Sequence, residues 1–347
     1  MTVLQAREAA RQWIAEEGRT LPGFCAAYTG GSTNWLPDDA CMTSRRDLDV
    51  MVVVEETGEN GARRKFVYRD VLLEVSYLGR ERFGSSAQVL SDYHLAPSLR
   101  TAKIIVDPFG FLAPLLKAIY RDYAKRKWVR ERCENARQKM IRSLRSIPSG
   151  AAFPDLVIAC LFSAGIATHV LLAAGLRNPT VRARYQAVRD LLAEYGMAEF
   201  HEVLLEGLGT ARISVDQARE HVATLACVFD EAKAALRTPV AFAPDLSDAA
   251  RAIAIDGSLE LIARGYHREA MFWVGVMHSR CQKVLELDAP SRLTPSVTES
   301  YRRLTRDLGL APSDALRRRC AEIERMVPRV CNVANAILAA NREVEDD

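Results

Sequence analysis

The spacing of apolar and polar positions changes along the chain and separates a region of predicted strands from a region of predicted helices. Val3 to Glu17 carries apolar side chains at helical spacing, so an amphipathic helix is predicted there. Short apolar runs follow, and they predict strands at 24–28 and 48–54, one or two strands within 65–77, and a strand at 103–106. This succession of short runs is typical of a small mixed β-sheet.

From residue 111 onward the spacing is helical almost throughout. Helices are predicted at 112–145, 156–176, 179–195, 197–208, 215–236, 248–264, 267–287, 296–308 and 313–341, and Pro328 could break the last of them. Asp107, which precedes Pro108, is predicted to be a turn and cap residue before the first of them. The pattern predicts an α+β fold, in which a small mixed β-sheet domain is followed by an all-α helical domain.

The two predicted domains are expected to meet at Ile147-Pro148-Ser149-Gly150, which has the composition of a linker. A chain of 347 residues is long enough for two domains, each with its own core. We therefore predict one domain at 1–148, with its core at about 20–110, and a helical domain at 151–347. The acidic tail at 343–347 is expected to fray.

One predicted helix raises the question of a membrane. The segment 156–176 is the most apolar of the chain and is long enough to span a bilayer. The other predicted helices supply enough apolar surface to bury it. A core helix is favoured, and no membrane partner is expected.

Composition and charge restrict the partners and the cellular compartment. The net charge of +3 is small for this length, so strong affinity for nucleic acid is not expected. The basic residues between Arg121 and Arg145 alternate with acids, which is typical of a solvated helix face. Eight cysteines occur without a CxxC pair, which argues against a zinc site. Together with the lack of a signal peptide, they indicate a reducing cytoplasm.

The candidate chemistry lies in the predicted strand region. The first strand ends in Gly30-Gly31-Ser32, and the second opens with Asp47-Leu48-Asp49. Glu74 lies in the middle of a later apolar run. Alternate side chains of a strand share a face, so Asp47 and Asp49 project together.

Adjacent carboxylates repel each other unless cations lie between them. Mg²⁺ takes hard oxygen ligands and substrate phosphates, and Mn²⁺ is also possible. Glu74 on a neighbouring strand would complete a site for two metal ions. Gly30 and Gly31 would let the backbone approach phosphate closely, and Ser32 adds a hydroxyl where a helix could begin.

This combination of Gly31-Ser32, Asp47-x-Asp49 and Glu74 resembles the nucleotidyltransferase superfamily. That superfamily has a catalytic domain like the palm of DNA polymerase β and includes the antibiotic (aminoglycoside and lincosamide) nucleotidyltransferases. The resemblance covers roughly residues 20–110. It implies that Gly31 and Ser32 bind the triphosphate, that Asp47 and Asp49 bind two magnesium ions, and that Glu74 is the third acid. The loop from Ser32 to Asp47 is longer than the commonest spacing in this superfamily, and Glu74 stands where Asp is frequent.

The resemblance implies a metal-dependent enzyme that moves a nucleoside monophosphate, AMP in the first instance, from ATP to a hydroxyl of a small-molecule acceptor with release of pyrophosphate. The helical domain would hold the acceptor. Arg45 and Arg46, which immediately precede the acidic pair, either offset triphosphate charge or are surface residues. In the helical region, Glu260, Tyr266, Glu269 and Trp273 either line a polar pocket or occupy ordinary core and surface positions.

Two other functions are compatible with the same residues. An Asp-x-Asp motif also occurs in glycosyltransferases that bind a sugar nucleotide through a metal ion. Alternatively, the fold serves as a non-catalytic nucleotide-binding module, whose nucleotide binding would not depend on the acids.

Overall fold

The structure is a computed structural model that describes residues 1–42, 46–57, 63–147, 150–178 and 180–347. The chain divides into two compact units: unit 1 comprises Met1–Arg132, Ala241–Ala250 and Glu345–Asp347, and unit 2 comprises Cys133–Val240 and Arg251–Val344. The fold is mixed, with a β-sheet in the amino-terminal part and a largely helical carboxy-terminal region, as predicted. Pro148 and Ser149 of the predicted linker lie outside the described residues.

Within the described residues, unit 1 contains a five-stranded mixed sheet. Its strands are β1 (Phe24–Thr29), β2 (Leu48–Val54), β3 (Arg63–Tyr68), β4 (Val71–Gly79) and β5 (Lys103–Val106). Their order across the sheet is β3-β4-β2-β1-β5. Strands β2 and β4 run parallel, whereas the other neighbouring pairs are antiparallel. The predicted strand positions are confirmed, and the run at 65–77 contains two strands.

One face of this sheet is apolar and covered by the first helix. Helix α1 (Val3–Glu16) begins at a capping box in which Thr2 and Gln5 satisfy each other's backbone N–H groups. Its Trp13 is buried against alternate residues of β2, among them Leu48 and Val50. Because side chains of a strand alternate between faces, the residues between these apolar positions project to the opposite face. Asp49 of β2 and Glu74 of β4 therefore lie on the face of the sheet opposite α1, away from the apolar cluster around Trp13.

The hairpin of β3 and β4 has a tight two-residue turn. Its central residues, Arg69 and Asp70, have φ angles of 48° and 63°, as expected for the turn type that matches strand twist. Tyr68 consequently pairs with Val71, and the ladder continues to the pair of Lys65 and Glu74. The predicted turn at 55–64 contains residues 58–62, which lie outside the described residues.

Three further helices of unit 1 are α2 (Ser86–Ser91), α3 (Leu95–Arg100) and α4 (Leu112–Asp122). Asp107 accepts hydrogen bonds from the backbone N–H groups of Phe111, Leu112 and Ala113, which confirms its predicted role as a cap. The prediction of a single helix at 112–145 is wrong, because the chain turns after α4 and starts a new helix, α5 (Arg126–Arg145). The change of unit after Arg132 falls within α5.

The prediction that the acidic tail frays is wrong for its last three residues. Glu345 donates its backbone N–H to the carbonyl of Ala124 at 3.0 Å, and its own carbonyl accepts from Arg126 at 2.8 Å. The Asp347 carboxylate accepts from the backbone N–H of Lys127 at 2.7 Å. The turn between α4 and α5 thus obtains hydrogen-bond partners from the end of the chain, which local spacing does not reveal.

Unit 2 is helical. Its helices after α5 are α6 (Phe153–Ala174), α7 (Arg184–Glu194), α8 (Phe200–Leu208), α9 (Val215–Ala235), α10 (Asp248–Ala254), α11 (Asp256–Ala263), α12 (His267–Asp288), α13 (Pro295–Asp307) and α14 (Ser313–Ala340). The first residues of α10 belong to unit 1. The prediction of one helix at 248–264 is wrong, since α10 and α11 are separate. Helix α14 continues through Pro328.

Helix α6 is long and apolar enough to cross a membrane, with a mean hydropathy of 2.2 over its most apolar 18-residue window, of which 67% is buried within the protein. It packs against α12 and α14. Gly275 of α12 lies so close to it that an added Cβ atom would be 2.9 Å from Leu161 Cδ1. This burial agrees with the predicted position in a core.

Candidate metal centre

Three carboxylates meet on the face of the sheet opposite α1. Asp49 in β2 lies directly beside Glu74 in β4, because the two parallel strands pair with these residues in register. Asp47 comes two residues earlier and projects to the same face as Asp49. One carboxylate oxygen from each of the three residues lies within 4.8 Å of those of the other two. The structure thus brings together the three acids of the sequence motif.

A lysine from the neighbouring strand lies between two of these acids. Lys65 of β3 pairs with Glu74 of β4 in the antiparallel ladder, so its side chain projects to the acidic face. Its Nζ atom is 2.6 Å from Asp47 Oδ2 and 2.6 Å from Glu74 Oε2, and only 4% of the side chain is exposed. Ion pairs of this length between poorly exposed groups are charge-assisted hydrogen bonds and hold all three side chains in place.

An arginine on the same strand extends the cluster to a segment distant in sequence. Arg63 Nη1 lies 3.2 Å from Glu74 Oε1, and its other terminal nitrogen pairs with Asp245. Asp245 is buried in a short 3₁₀ helix, Ala243–Asp245, which belongs to unit 1. The positive charge of Arg63 is therefore compensated by the Asp245 carboxylate as well as by that of Glu74.

Burial and neighbouring charge give the three acids different pKa values. Burial alone raises the pKa of Asp47, but the Lys65 ammonium outweighs it, and the pKa of this carboxyl lies below its usual value. Burial, together with the charges of Asp47 and Glu74, raises the pKa of Asp49 well above its usual value. Burial also raises the pKa of Glu74, because Lys65 and Arg63 oppose it only in part. Asp49 is the acid whose negative charge is least compensated.

A glycine turn lies against the Asp49 carboxylate. Gly31 has a φ angle of +71°, a conformation that glycine adopts more readily than any other residue. A Cβ atom added there would be 1.7 Å from Asp49 Oδ2, so glycine is also required for space. The preceding residue, Gly30, donates its backbone N–H to the Asp49 carbonyl at 3.0 Å. The glycine pair thus lies next to the acidic cluster.

Two polar side chains hold the loop that follows the glycines. The Asn34 amide donates to the carbonyls of Thr29 at 2.7 Å and Thr101 at 2.8 Å, which ties the loop to the end of β1. Buried Arg7 of α1 donates to the Thr33 carbonyl at 3.1 Å and forms an ion pair with Asp38. These bonds satisfy backbone carbonyls that would otherwise lose water on burial.

The remaining predicted site residues lie at the edge of the sheet where β1 ends and β2 begins. Ser32 is half-buried and opens a four-residue 3₁₀ helix, Ser32–Trp35, which agrees with the prediction that a helix could begin there. Arg46 is exposed and precedes Asp47 directly. Arg45 lies outside the described residues. The exposure of Arg46 is compatible with both of its predicted roles.

Two of the four polar residues singled out in the helical region, Glu269 and Tyr266, have structural partners within unit 2. The Glu269 carboxylate is buried and pairs with Arg189 at 3.0 Å. The Tyr266 hydroxyl donates to Asp190 at 3.3 Å. These contacts favour the ordinary structural explanation for both residues over a binding pocket.

Sequence reasoning did not identify three residues of the cluster: Lys65, Arg63 and Asp245. A signal for the two cations exists in the sequence, since a two-residue turn at Arg69-Asp70 places Lys65 opposite Glu74. Those turn residues lack the usual Asn-Gly pattern, so the hairpin is hard to recognise. No local signal connects Asp245 with Arg63, because the contact depends on tertiary structure.

No protein-family model and no curated protein sequence matches this chain. Any function assigned to the acidic cluster therefore rests on its geometry and its charges.

Proposed function

We propose that unit 1 is a nucleotidyltransferase domain of the polymerase β palm type, which transfers a nucleoside monophosphate from a nucleoside triphosphate to a hydroxyl group. The observation that carries this proposal is the meeting of Asp47, Asp49 and Glu74 within 4.8 Å, beside the turn at Gly31. A carboxylate cluster beside a glycine turn suits a metal-bound triphosphate.

The donor set fits a hard divalent cation such as Mg²⁺ or Mn²⁺. The three acids supply only oxygen ligands, and two oxygens opposite each other on one Mg²⁺ ion lie about 4.2 Å apart. The separation of at most 4.8 Å between the carboxylate oxygens needs little adjustment to meet this requirement. Asp47, Asp49 and Glu74 would hold the cation. When bound, it neutralises negative charge on the phosphates and orients them.

The other residues of the site bind and position the nucleotide in this proposal. Gly31, which is half-buried, brings the backbone of the turn next to the triphosphate, and the Ser32 hydroxyl donates a hydrogen bond to it. Gly30 is buried and holds the turn through its N–H bond to the Asp49 carbonyl. Arg46, exposed beside the acids, offsets phosphate charge. The anchored loop after Gly31 keeps these groups in place before the substrate arrives, which lowers the entropy cost of reaching the reactive geometry.

In the reaction, the acceptor hydroxyl oxygen forms a bond to the α-phosphorus while the bond from that phosphorus to the β-bridging oxygen breaks. Pyrophosphate leaves with the bonding electron pair, and the hydroxyl proton passes to a base or to water. ATP is the proposed donor, and a small molecule is the proposed acceptor.

Calorimetric titration with a non-hydrolysable ATP analogue, with and without Mg²⁺, tests the proposal. We expect the wild type to bind the analogue at least tenfold more tightly with Mg²⁺, and Asp49→Asn to lose that gain. Asp39→Asn, which removes an exposed carboxylate of the neighbouring loop, is the matched control and should retain it.

Analogue binding that ignores both Mg²⁺ and Asp49→Asn would favour the non-catalytic module. Metal-dependent binding of a nucleotide diphosphate sugar, without binding of the triphosphate, would favour a glycosyltransferase. Either result rules out the proposed reaction.

A further inference from the structure

The position of Lys65 has a consequence for the number of metal ions that the cluster can hold. A two-metal centre places two divalent cations among its carboxylates, roughly 3.5–4 Å apart. In this protein a buried ammonium already lies 2.6 Å from Asp47 Oδ2 and 2.6 Å from Glu74 Oε2. We propose that Lys65 occupies one of the two cation positions, so that the carboxylates bind a single divalent cation. This inference rests on the proposed function, whose site it describes further.

The distances from the Lys65 nitrogen to the two carboxylate oxygens support the view that Lys65 and a metal ion would compete for the same position. A magnesium ion bound to the same two oxygens would lie about 2.1 Å from each, and therefore no more than about 4.7 Å from the Lys65 nitrogen. An ammonium and a divalent cation that close repel each other strongly where water is largely excluded. Lys65 is held from both sides, and its side chain is 4% exposed, so it has little room to move away.

Asp49 provides the other position. Among the residues that the structure describes, no cationic side chain lies within ion-pair distance of its carboxylate, whereas Asp47 and Glu74 are both paired with Lys65. Asp49 and the Asp47 oxygen that is not paired with Lys65 are therefore the least engaged ligands for an incoming cation, and Glu74 completes the set through a second lone pair of an oxygen that already accepts from a cationic side chain. Glu74 is engaged by Lys65 on one oxygen and by Arg63 on the other.

The charge of the cluster agrees with one divalent cation. The cluster comprises Asp47, Asp49, Glu74, Asp245, Arg63 and Lys65. With every carboxylate ionised, four negative and two positive side chains give a formal charge of −2. One divalent cation cancels this charge, whereas a second would leave an excess of positive charge in a poorly exposed site.

Manganese binding tests the inference without any requirement for activity. The stoichiometry of Mn²⁺ on the full-length, nucleotide-free protein is measured by electron paramagnetic resonance of the free ion. We expect one Mn²⁺ per wild-type chain and two per Lys65→Met chain, or one that binds at least tenfold more tightly. Lys65→Arg keeps the charge and should keep the wild-type result.

The matched control is Arg64→Met, which removes the same charge from the neighbouring residue. Arg64 is exposed and stacks on Phe66, on the other face of β3. Its Mn²⁺ stoichiometry and affinity should equal those of the wild type. A second readout is thermal: Mn²⁺ should raise the melting temperature of Lys65→Met more than that of the wild type.

Two Mn²⁺ ions on the wild-type chain would overturn the inference, whether or not Lys65→Met folds. Wild-type stoichiometry and affinity in Lys65→Met would also overturn it. In either case the proposed function stands, provided that Asp49→Asn abolishes Mn²⁺ binding. Absence of Mn²⁺ binding from both wild type and Lys65→Met would overturn the inference and the proposed metal site together.

Discussion

At the scale of single residues, Asp49 illustrates how its neighbours determine what a carboxylate can do. Its side chain lies beside Glu74, near Asp47 and against Gly31, with no ion-paired cation among the described residues. Asp47, only two positions away in sequence, is paired with buried Lys65, and its pKa shifts in the opposite direction. Two acids of one short motif thus have different electrostatic surroundings.

The substitution Gly31→Ala tests the contact between the glycine turn and Asp49. The added Cβ atom would overlap Asp49 Oδ2 and would also occupy an unfavourable positive φ angle. We expect a loss of about 1–3 kcal/mol in the free energy of unfolding. We also expect Mg²⁺-dependent binding of the ATP analogue to weaken at least tenfold, as measured by calorimetry.

Gly110→Ala is the control for this substitution. Gly110 has a similar φ angle of +66°, but an added Cβ atom would meet nothing within 4 Å. It should lose about 1 kcal/mol of stability and bind the analogue as the wild type does. Unchanged binding in Gly31→Ala would show that the turn and Asp49 do not form one site.

At the scale of elements, the hairpin of β3 and β4 determines which side chains face the acids. A slip of one residue in its register would move Lys65 to the apolar face of the sheet and Phe66 to the acidic face. The two-residue turn prevents this slip, although Arg69 and Asp70 both have positive φ angles that such residues adopt at some cost. The position of Lys65 therefore depends on a turn built from unfavourable residues.

Replacing the turn by Asn-Gly tests this dependence. The double substitution Arg69→Asn/Asp70→Gly supplies the residues that favour this turn. We expect a gain of about 0.5–1 kcal/mol in the free energy of unfolding, measured by urea titration, with unchanged Mn²⁺ stoichiometry. The weak exposed pair of Arg69 and Glu16 is lost, which costs little. A loss of stability would mean that the native turn is not of this type.

At the scale of the whole molecule, buried titratable side chains make the free energy of unfolding depend on pH. His278 of α12 in unit 2 is fully buried, and burial lowers its pKa from 6.5 to about 3. Between these two values the unfolded chain binds a proton at this residue and the folded chain does not. Stability from His278 is therefore present above pH 6.5 and is lost as the pH falls toward 3.

Urea unfolding at pH 7 and pH 5 measures this effect. From the two pKa values, the neutral His278 should account for a loss of about 2 kcal/mol between pH 7 and pH 5. His278→Gln should reduce the pH dependence by that amount, whatever its stability at pH 7. An equal pH dependence in wild type and His278→Gln would contradict the assignment to His278.

The features that depend on local periodicity can be predicted from the amino-acid sequence alone. The bounds of β2 and β5, the shared face of Asp47 and Asp49, and the cap at Asp107 all follow from residues a few positions apart. Alternation along a strand and hydrogen bonding at a helix start are local interactions, so they can be predicted without knowledge of the fold.

The other groups that reach the acids are brought there by contacts between elements that are distant in the sequence. The placement of Glu74 beside Asp49 follows from parallel pairing of two strands, and that of Lys65 from the hairpin next to them. The contact of Asp245 with Arg63 joins residues far apart in the chain, as does the pairing of the last residues with the turn after α4. Such contacts are selected by how whole elements bury their apolar faces and satisfy their backbone groups, and no local spacing records that choice.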